Sequence, residues 1–452
     1  MVKLKSTLIL FLLYVPVMYA ATCQSDMYNS SNIAETDAYS YTLFTSMNEL
    51  YNVAIGSVTG DIYSLGIGSD GSQDYSVLKR ETVDGATSWE YSYQDITPVD
   101  NSFGVDPTET YVFFTDRQAS YCLLAQVYAD NGTVYNYAQF STLLSRQQFF
   151  KIHFDSAGSY VYLSLIDSGY NSHFCRRGVT GDTLTCYEFA NSFAHRAMTQ
   201  ISDTEFFFQS RTTSHSNTPM ENRYYTFGEA SANWTNYIDW PNPPCGMAYS
   251  SAAANSDKSI VYSLWGYDDG DYDIIFIAYN MADGTINGST YQIDATCTEA
   301  YEMIYLNNYL YAISTCTNDQ LIVYDISSDS FTFYEFTSTI SIRSIVYEPV
   351  YGRLIFIGDQ SNTNNYIAKA STSMISDIPE LSSSTINMTS LDSGYTYNPY
   401  SLIIVGPNTY TQTDLSLSTT SITPSTSSTY SSDLVTNTIT YTDSKSVHLV
   451  SY

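Results

Sequence analysis

An all-β fold, a β-propeller of about eight four-stranded blades with seven as the alternative, is what this sequence predicts. Three observations carry the prediction. A short apolar strand recurs eight times, starting at Ile62, Tyr111, Tyr160, Phe206, Ile260, Tyr309, Leu354 and Leu402. Successive starts lie 49, 49, 46, 54, 49, 45 and 48 residues apart, and a period of roughly 40–50 residues with several strands per unit marks a propeller. The composition agrees: only 14% of residues are charged while Tyr fills 44 positions, which suits strands whose exposed faces are polar but mostly neutral.

The sixth unit shows the blade most clearly. Tyr301–Leu306 reads as the first strand, and Asn307-Asn308 as a two-residue turn tolerant of positive φ. Tyr309–Ile313, Leu321–Asp325 and Phe331–Phe336 follow as the second, third and fourth strands, with Ser327–Ser330 turning between the last two. In unit 2, Asp130-Asn-Gly-Thr before Val134 is a strong hairpin signal. Inner strands are continuous apolar runs because neighbouring blades cover both their faces, whereas outer strands alternate.

The two ends of the chain differ from this pattern. The eighth unit offers strands near Tyr395, at Leu402 and at Thr409–Thr413, then dissolves into Ser and Thr. The segment Tyr39–Phe44 has no hairpin partner of its own. It is expected to supply the missing outer strand of the last blade, which closes the ring and hides a sheet edge. The expected organisation is a signal peptide over 1–21, a propeller over 22–417, a Ser/Thr-rich linker over 418–434 and a tail strand over 435–452. Residues 416–432 hold 13 Ser or Thr among 17, too polar to bury a core. In the tail, Val435, Asn437, Ile439 and Tyr441 alternate strictly with Thr, the pattern of a β-strand.

Unit 6 resembles the kelch type of repeat, with Tyr309-Leu-Tyr ahead of Leu321-Ile-Val-Tyr-Asp325 and an aromatic last strand. The resemblance spans the blade layout over about residues 50–417. It departs where kelch repeats carry a Gly pair and a Trp, since Ser314-Thr315 and Phe333 stand there. It implies a propeller that binds partners through variable loops, and it transfers no functional residue.

Export is expected. Lys3 and Lys5 precede an apolar run from Leu8 to Val17, and Ala20-Ala21 offer a cleavage site. The run is short for a membrane span, and no second run of spanning length follows. Five sequons accompany it, at Asn29, Asn131, Asn233, Asn287 and Asn387. The seven cysteines then read as a disulfide framework. Cys175 and Cys186 lie symmetrically about Thr180-Gly181, and Cys297 and Cys316 nearly so about Asn307-Asn308, so each pair is expected to bridge a hairpin. Cys23, Cys122 and Cys245 have no assigned pairing. A formal charge of −29 repels phosphate backbones and anionic membranes, which excludes nucleic-acid binding as a function.

The densest carboxylate group is Asp268-Asp269-Gly270-Asp271-Tyr272-Asp273. Alternating Asp269, Asp271 and Asp273 fit oxygen ligation of Ca²⁺, but a solvated acidic turn is the leading reading of the same residues; no other cofactor is expected. Thr82-Val-Asp84-Gly-Ala-Thr-Ser-Trp89 resembles a sialidase Asp-box, a structural turn, with Ala86 in place of its Gly. Arg117, Arg146, Arg196 and Arg343 are candidates for the central channel. The five histidines show no paired metal spacing, and His153 reads as a strand residue.

No catalytic constellation emerges, so a non-enzyme is expected. The leading expectation is a secreted, glycosylated structural or surface-coat protein. In it Val435, Ile439 and Tyr441 form an assembly strand that adds to a neighbouring propeller and builds filaments. The alternatives are a monomeric module that binds carbohydrate or protein on a propeller face, and a degenerate glycoside hydrolase. Expected partners are further copies of the chain or other extracellular proteins. On the filament reading, deleting residues 418–452 abolishes self-association, measured by size-exclusion chromatography with light scattering; unchanged self-association sinks it.

Overall fold

A strand that is apolar at every position needs cover on both faces, and a ring of blades provides it. In the seventh unit Leu354, Ile355, Phe356 and Ile357 are all buried, two facing each neighbouring layer. The structure, a computed structural model, describes residues 39–43, 49–69, 74–83, 87–93, 98–118, 121–140, 149–166, 171–181, 183–212, 220–239, 250–267, 273–294, 297, 299–361, 364–390, 396–399, 404–414 and 419–421.

The chain begins with β1 (Tyr39–Leu43). Blade 1 holds β2 (Glu49–Ile55), β3 (Ile62–Ser69), β4 (Asp74–Glu81) and β5 (Thr87–Tyr93). Blade 2 holds β6 (Pro98–Val105), β7 (Tyr111–Gln118), β8 (Tyr121–Tyr128) and β9 (Val134–Phe140). Blade 3 holds β10 (Phe149–Phe154), β11 (Tyr160–Ile166), β12 (Asn171–Gly178) and the first half of β13 (Thr183–Gln200). The second half of β13 opens blade 4, followed by β14 (Glu205–Thr212), β15 (Met220–Thr226) and β16 (Trp234–Asp239). Blade 5 holds β17 (Ser250–Ala254), β18 (Ile260–Tyr267), β19 (Asp273–Asn280) and β20 (Tyr291–Asp294). Blade 6 holds β21 (Glu299–Leu306), β22 (Tyr309–Thr315), β23 (Gln320–Asp325) and β24 (Ser330–Phe336). Blade 7 has three strands of its own, β25 (Ile340–Glu348), β26 (Arg353–Gln360) and β27 (Asn364–Ser371).

The ring therefore has seven blades, the alternative count, and the first seven apolar repeats are the second strands of those blades. Blade 7 is completed by β1, which pairs antiparallel with β27 from Tyr39↔Lys369 to Leu43↔Asn365. The N-terminal strand thus supplies the outer strand of the last blade as expected, but that blade is the seventh unit and not the eighth, which the strand was expected to complete. Beside this seam, buried charges sit between blades 7 and 1. Lys79 Nζ lies 2.6 Å from Glu81 on β4, and Arg353 lies 3.1 Å from Glu348. Burial pulls the Lys369 ammonium down to about 8, while Glu81 opposes that shift. Burial pushes the Glu81 carboxyl up, but Lys79 and Lys369 outweigh it and hold it below its ordinary value.

The eighth repeat is not a blade. Leu402 lies outside the described residues, and Ile404 and Val405 belong to a belt that runs around the outside of the ring. After β27 the chain makes one 3₁₀ turn at Ile375–Asp377 and then visits the blades in reverse order. β28 (Leu381–Ser384) pairs with β24 of blade 6, and β29 (Asn387–Ser390) with β20 of blade 5. β30 (Thr396–Pro399) pairs with β16 of blade 4. β31 (Ile404–Asp414) spans two blades, pairing with β13 of blade 3 through Thr411 and with β9 of blade 2 from Gln412. β32 (Thr419–Ser421), inside the stretch expected as a linker, pairs with β5 of blade 1. Each visit is antiparallel and gives the blade a fifth strand.

The belt is mostly Ser and Thr but carries spaced apolar anchors. Leu381 and Tyr410 are buried in the clusters between blades 6 and 7 and between blades 2 and 3, and Ile386 and Ile404 pack against two more. At Gly406 a Cβ would stand 2.9 Å from the Cys186 carbonyl oxygen, and φ is +139°, so only glycine lets β31 lie this close.

Turns are fixed by their own side chains. Asp155 accepts the N–H groups of Ser159 and Tyr160 at 2.7 Å, Asp106 that of Thr108 at 2.9 Å and Asn255 that of Ile260 at 3.0 Å, each closing a first-to-second-strand turn. Neighbouring blades lock through two tryptophans. Trp89 Nε1 donates to the Ala129 carbonyl at 3.0 Å and Trp234 Nε1 to that of Met281 at 2.8 Å. Their rings lie over Gly132 and Gly284, where a Cβ would approach to 2.7 and 2.6 Å. Trp on a fourth strand thus occurs in blades 1 and 4, whereas blade 6 has Phe333 there.

Tyr410→Ala should remove a belt anchor and lower global stability by about 2 kcal/mol, measured by urea unfolding, with earlier proteolysis within 404–421. Equal stability and equal proteolysis would show that the belt is held by backbone pairing alone.

Candidate functional site: the groove between blades 6 and 7

The structure brings together both expected cysteine pairs. Cys175 and Cys186 are register partners on β12 and β13, disulfide-bonded with a Cα–Cα distance of 4.0 Å. Cys297 bonds Cys316 across the base of the β21–β22 hairpin, with Cα atoms 3.9 Å apart. Two disulfides suit an oxidising, extracellular environment, and no helix among the described residues is long and apolar enough to cross a membrane.

The expected Ca²⁺ ligands are not brought into view. Asp269 and Asp271 lie outside the described residues, and of Asp273 only the backbone, at the start of β19, is described. No group of three or more His, Cys, Asp or Glu poised for a metal occurs among the described residues. Asn29, Cys23, Cys245 and the strand of Val435, Ile439 and Tyr441 also lie outside them, as does Asp84 of the Asp-box. Asn131, Asn233 and Asn387 are exposed. Asn131 Oδ1 accepts from the N–H (2.9 Å) and hydroxyl (2.6 Å) of Thr133. Asn287 instead donates its amide nitrogen to Asn280 Oδ1 at 2.6 Å.

Of the four candidate arginines, Arg343 is the one whose side chain is described. Its Nε lies 3.7 Å from Asp359 Oδ2, Nη1 donates to the Tyr301 hydroxyl at 3.4 Å, and the guanidinium sits 5.9 Å from the Tyr51 ring centroid. The side chains of Arg117, Arg146 and Arg196 are not among those described. Lys151 of blade 3 reaches across the ring to Glu302 of blade 6 at 3.3 Å, so an ion pair spans the channel. His153 is a strand residue: its Nε2 meets the Met198 carbonyl at 3.1 Å, and burial and the charge of Lys151 take its imidazole down to about 4.

Among the described residues a concavity lies elsewhere, on the cleft between blades 6 and 7. Its volume is about 360 Å³, within the lower range of small-ligand sites. Side chains two apart on one strand share a face, so Tyr309 and Tyr311 of β22 form one wall with their rings 6.2 Å apart. Thr332 and Tyr334 of β24 lie beyond them, and the segment 372–376 that leads into the belt closes the other side. Asn307 (φ 51°), in the two-residue hairpin turn, also lines it. Burial pushes the Tyr311 hydroxyl up to about 12 while Thr372 bonds to it, so this phenol stays neutral. Tyr309 is 38% exposed. All ten lining residues are uncharged, in a chain of formal charge −29. Sequence reading marked Tyr309 and Asn307 as blade elements only. The opposite wall comes from the belt approach some 60 residues on, and no local pattern signals it.

No protein-family model matches this chain, and no curated protein matches it. Among solved structures it is similar to the β-propeller domain of Cps50 (Swd1) from Myceliophteria thermophila, with a TM-score of 0.50 and 10% sequence identity. The match covers 73% of this chain and 98% of that one. The class of protein is therefore plain: an all-β chain folded as a seven-bladed β-propeller.

Asp359 gives a pH signature for blade 7. Burial raises its carboxyl, Arg343 opposes, and Glu49 and Asp319 push it further, from 3.8 to about 6. A folded value above the unfolded one means that the folded state binds the extra proton, so stability is lost as pH rises from about 4 to about 6. Asp359→Asn should remove that loss: its melting temperature should exceed the parent's at pH 7.5 and match it near pH 4. A difference that stays constant over that range would assign the titration elsewhere.

Proposed function

We propose that this protein is an exported, glycosylated, non-catalytic propeller that binds neutral carbohydrate in the groove between blades 6 and 7. One observation carries the reading: a Tyr- and hydroxyl-lined concavity whose lining residues are all uncharged, on a protein that is otherwise strongly acidic. A sugar ring presents apolar C–H faces that stack on tyrosine and hydroxyls that bond to Asn307, Thr332 and Thr372. Anionic ligands would meet the acidic field of the whole protein, so the substrate class is a neutral glycan. Export is supported by the two disulfides and the apolar N-terminal run. Glycan attachment is supported by the exposed sequons at Asn131, Asn233 and Asn387.

The surface-coat reading keeps one foothold. The belt covers the outer strands of six blades, so strand addition by a neighbouring tail has a single acceptor edge among the described residues, that of β1 in blade 7.

The carbohydrate reading is tested on a neutral-glycan array, followed by titration calorimetry of any hit. Tyr309→Ala should weaken binding by about tenfold, the loss of one stacking contact, and leave the melting temperature nearly unchanged. Absence of any neutral hit, or full affinity in Tyr309→Ala, would remove the groove from consideration.

A further inference from the structure

We infer that the belt has a seventh station: residues 425–430 of the same chain occupy the outer edge of β1 in blade 7, leaving no blade edge open. This seventh station is independent of carbohydrate binding in the groove. β1 pairs with β27 on one side, and its other edge has no strand partner among the described residues. Unpaired strand edges are sites for pairing with whatever strand can reach them.

The belt's pitch says which strand reaches it. Its stations begin at residues 381, 387, 396, 404, 412 and 419, so successive stations start 6 to 9 residues apart. The last of these lies on blade 1, and the blade next to it in the direction of travel is blade 7, since β2 packs against β25. One further step of 6 to 9 residues from 419 begins at 425–428. The segment Ser425-Thr-Ser-Ser-Thr-Tyr430 has the composition of the stations already placed, such as Leu381-Ser-Ser-Ser and Thr419-Thr-Ser. Pro424 falls just before it, in a connecting position, and no proline interrupts it. Each placed station is antiparallel to the outer strand it joins, and β1 is antiparallel to β27 like the other outer strands to theirs. The alternating strand from Val435 starts sixteen residues after 419, about twice the pitch. A segment already delivered next to the edge competes at a high effective concentration against any strand from another molecule.

The experiment compares amide deuterium uptake of Tyr39–Leu43 in three chains that keep the placed belt: full length, ending at Tyr430, and ending at Ser421. Light scattering is read on each. The outward amides of β1 should be equally protected in the first two and exchange at least about tenfold faster in the third, with monomeric mass throughout. Ser427→Pro with Ser428→Pro in the full-length chain removes two backbone donors and should give the same loss, while uptake of β28 stays unchanged. Three results overturn the inference. Equal exchange in all chains means that the edge is open. Protection lost on ending at Tyr430 with monomeric mass means that the strand from Val435 docks at home. The same loss with a fall from oligomer to monomer means that it docks on a second copy. Glycan binding by the groove is read separately, so neither result decides the other.

Discussion

Each blade of this ring ends in a strand whose outward N–H and C=O groups must find partners or be left to water and to other chains. That constraint organises the molecule. A propeller hides its inner edges in the ring but exposes one outer edge per blade, seven in all. Here the chain spends about forty residues after the last blade covering six of them. Each covered edge gains backbone hydrogen bonds, worth roughly 0.5–1.5 kcal/mol net apiece. The belt also fastens neighbouring blades, because Leu381 and Tyr410 enter the clefts between them.

Closure depends on the seam between blades 7 and 1, where two distant parts of the chain meet. An apolar cluster with Leu50, Ile62, Ile355 and Ile367 shares this interface with the buried charges of Lys79, Glu81, Arg353, Glu348 and Lys369. Removing one partner of such a set leaves a buried charge uncompensated. The seam therefore tolerates only one alignment of first and last blade, and β1 is held at the place where it can pair with β27.

The groove follows from the same route. The chain must pass from the end of β27 back to the rim of blade 6 before the belt can start, and residues 372–376 make that passage. In doing so they wall off a strip of β22 and β24 that carries tyrosines rather than the aliphatic residues of the deeper cleft. A binding surface thus arises where the fold changes from blade to belt, on a scaffold made rigid by a two-residue hairpin and a disulfide at the other end of the same strands.

The repeat itself was readable from the amino acids. Apolar second strands at a near-constant interval, turn residues between them and Cys175 symmetric with Cys186 about a turn are local patterns, and local sterics and periodicity decide them. The unpaired N-terminal strand was readable as well, because an alternating strand without a hairpin neighbour has to join a distant sheet. Leu402-Ile-Ile-Val was misleading for a physical reason. An apolar run records only that residues are covered, and Ile404 is covered by the rim of blade 3 rather than by membership of a blade. The belt strands, Ser- and Thr-rich and three to eleven residues long, resemble a linker until outer blade edges are there to pair with them. Sequence alone determined the strands and their period; only the tertiary structure decided that seven blades close the ring and that the tail binds its outside, because both depend on edges that exist only once the blades have formed.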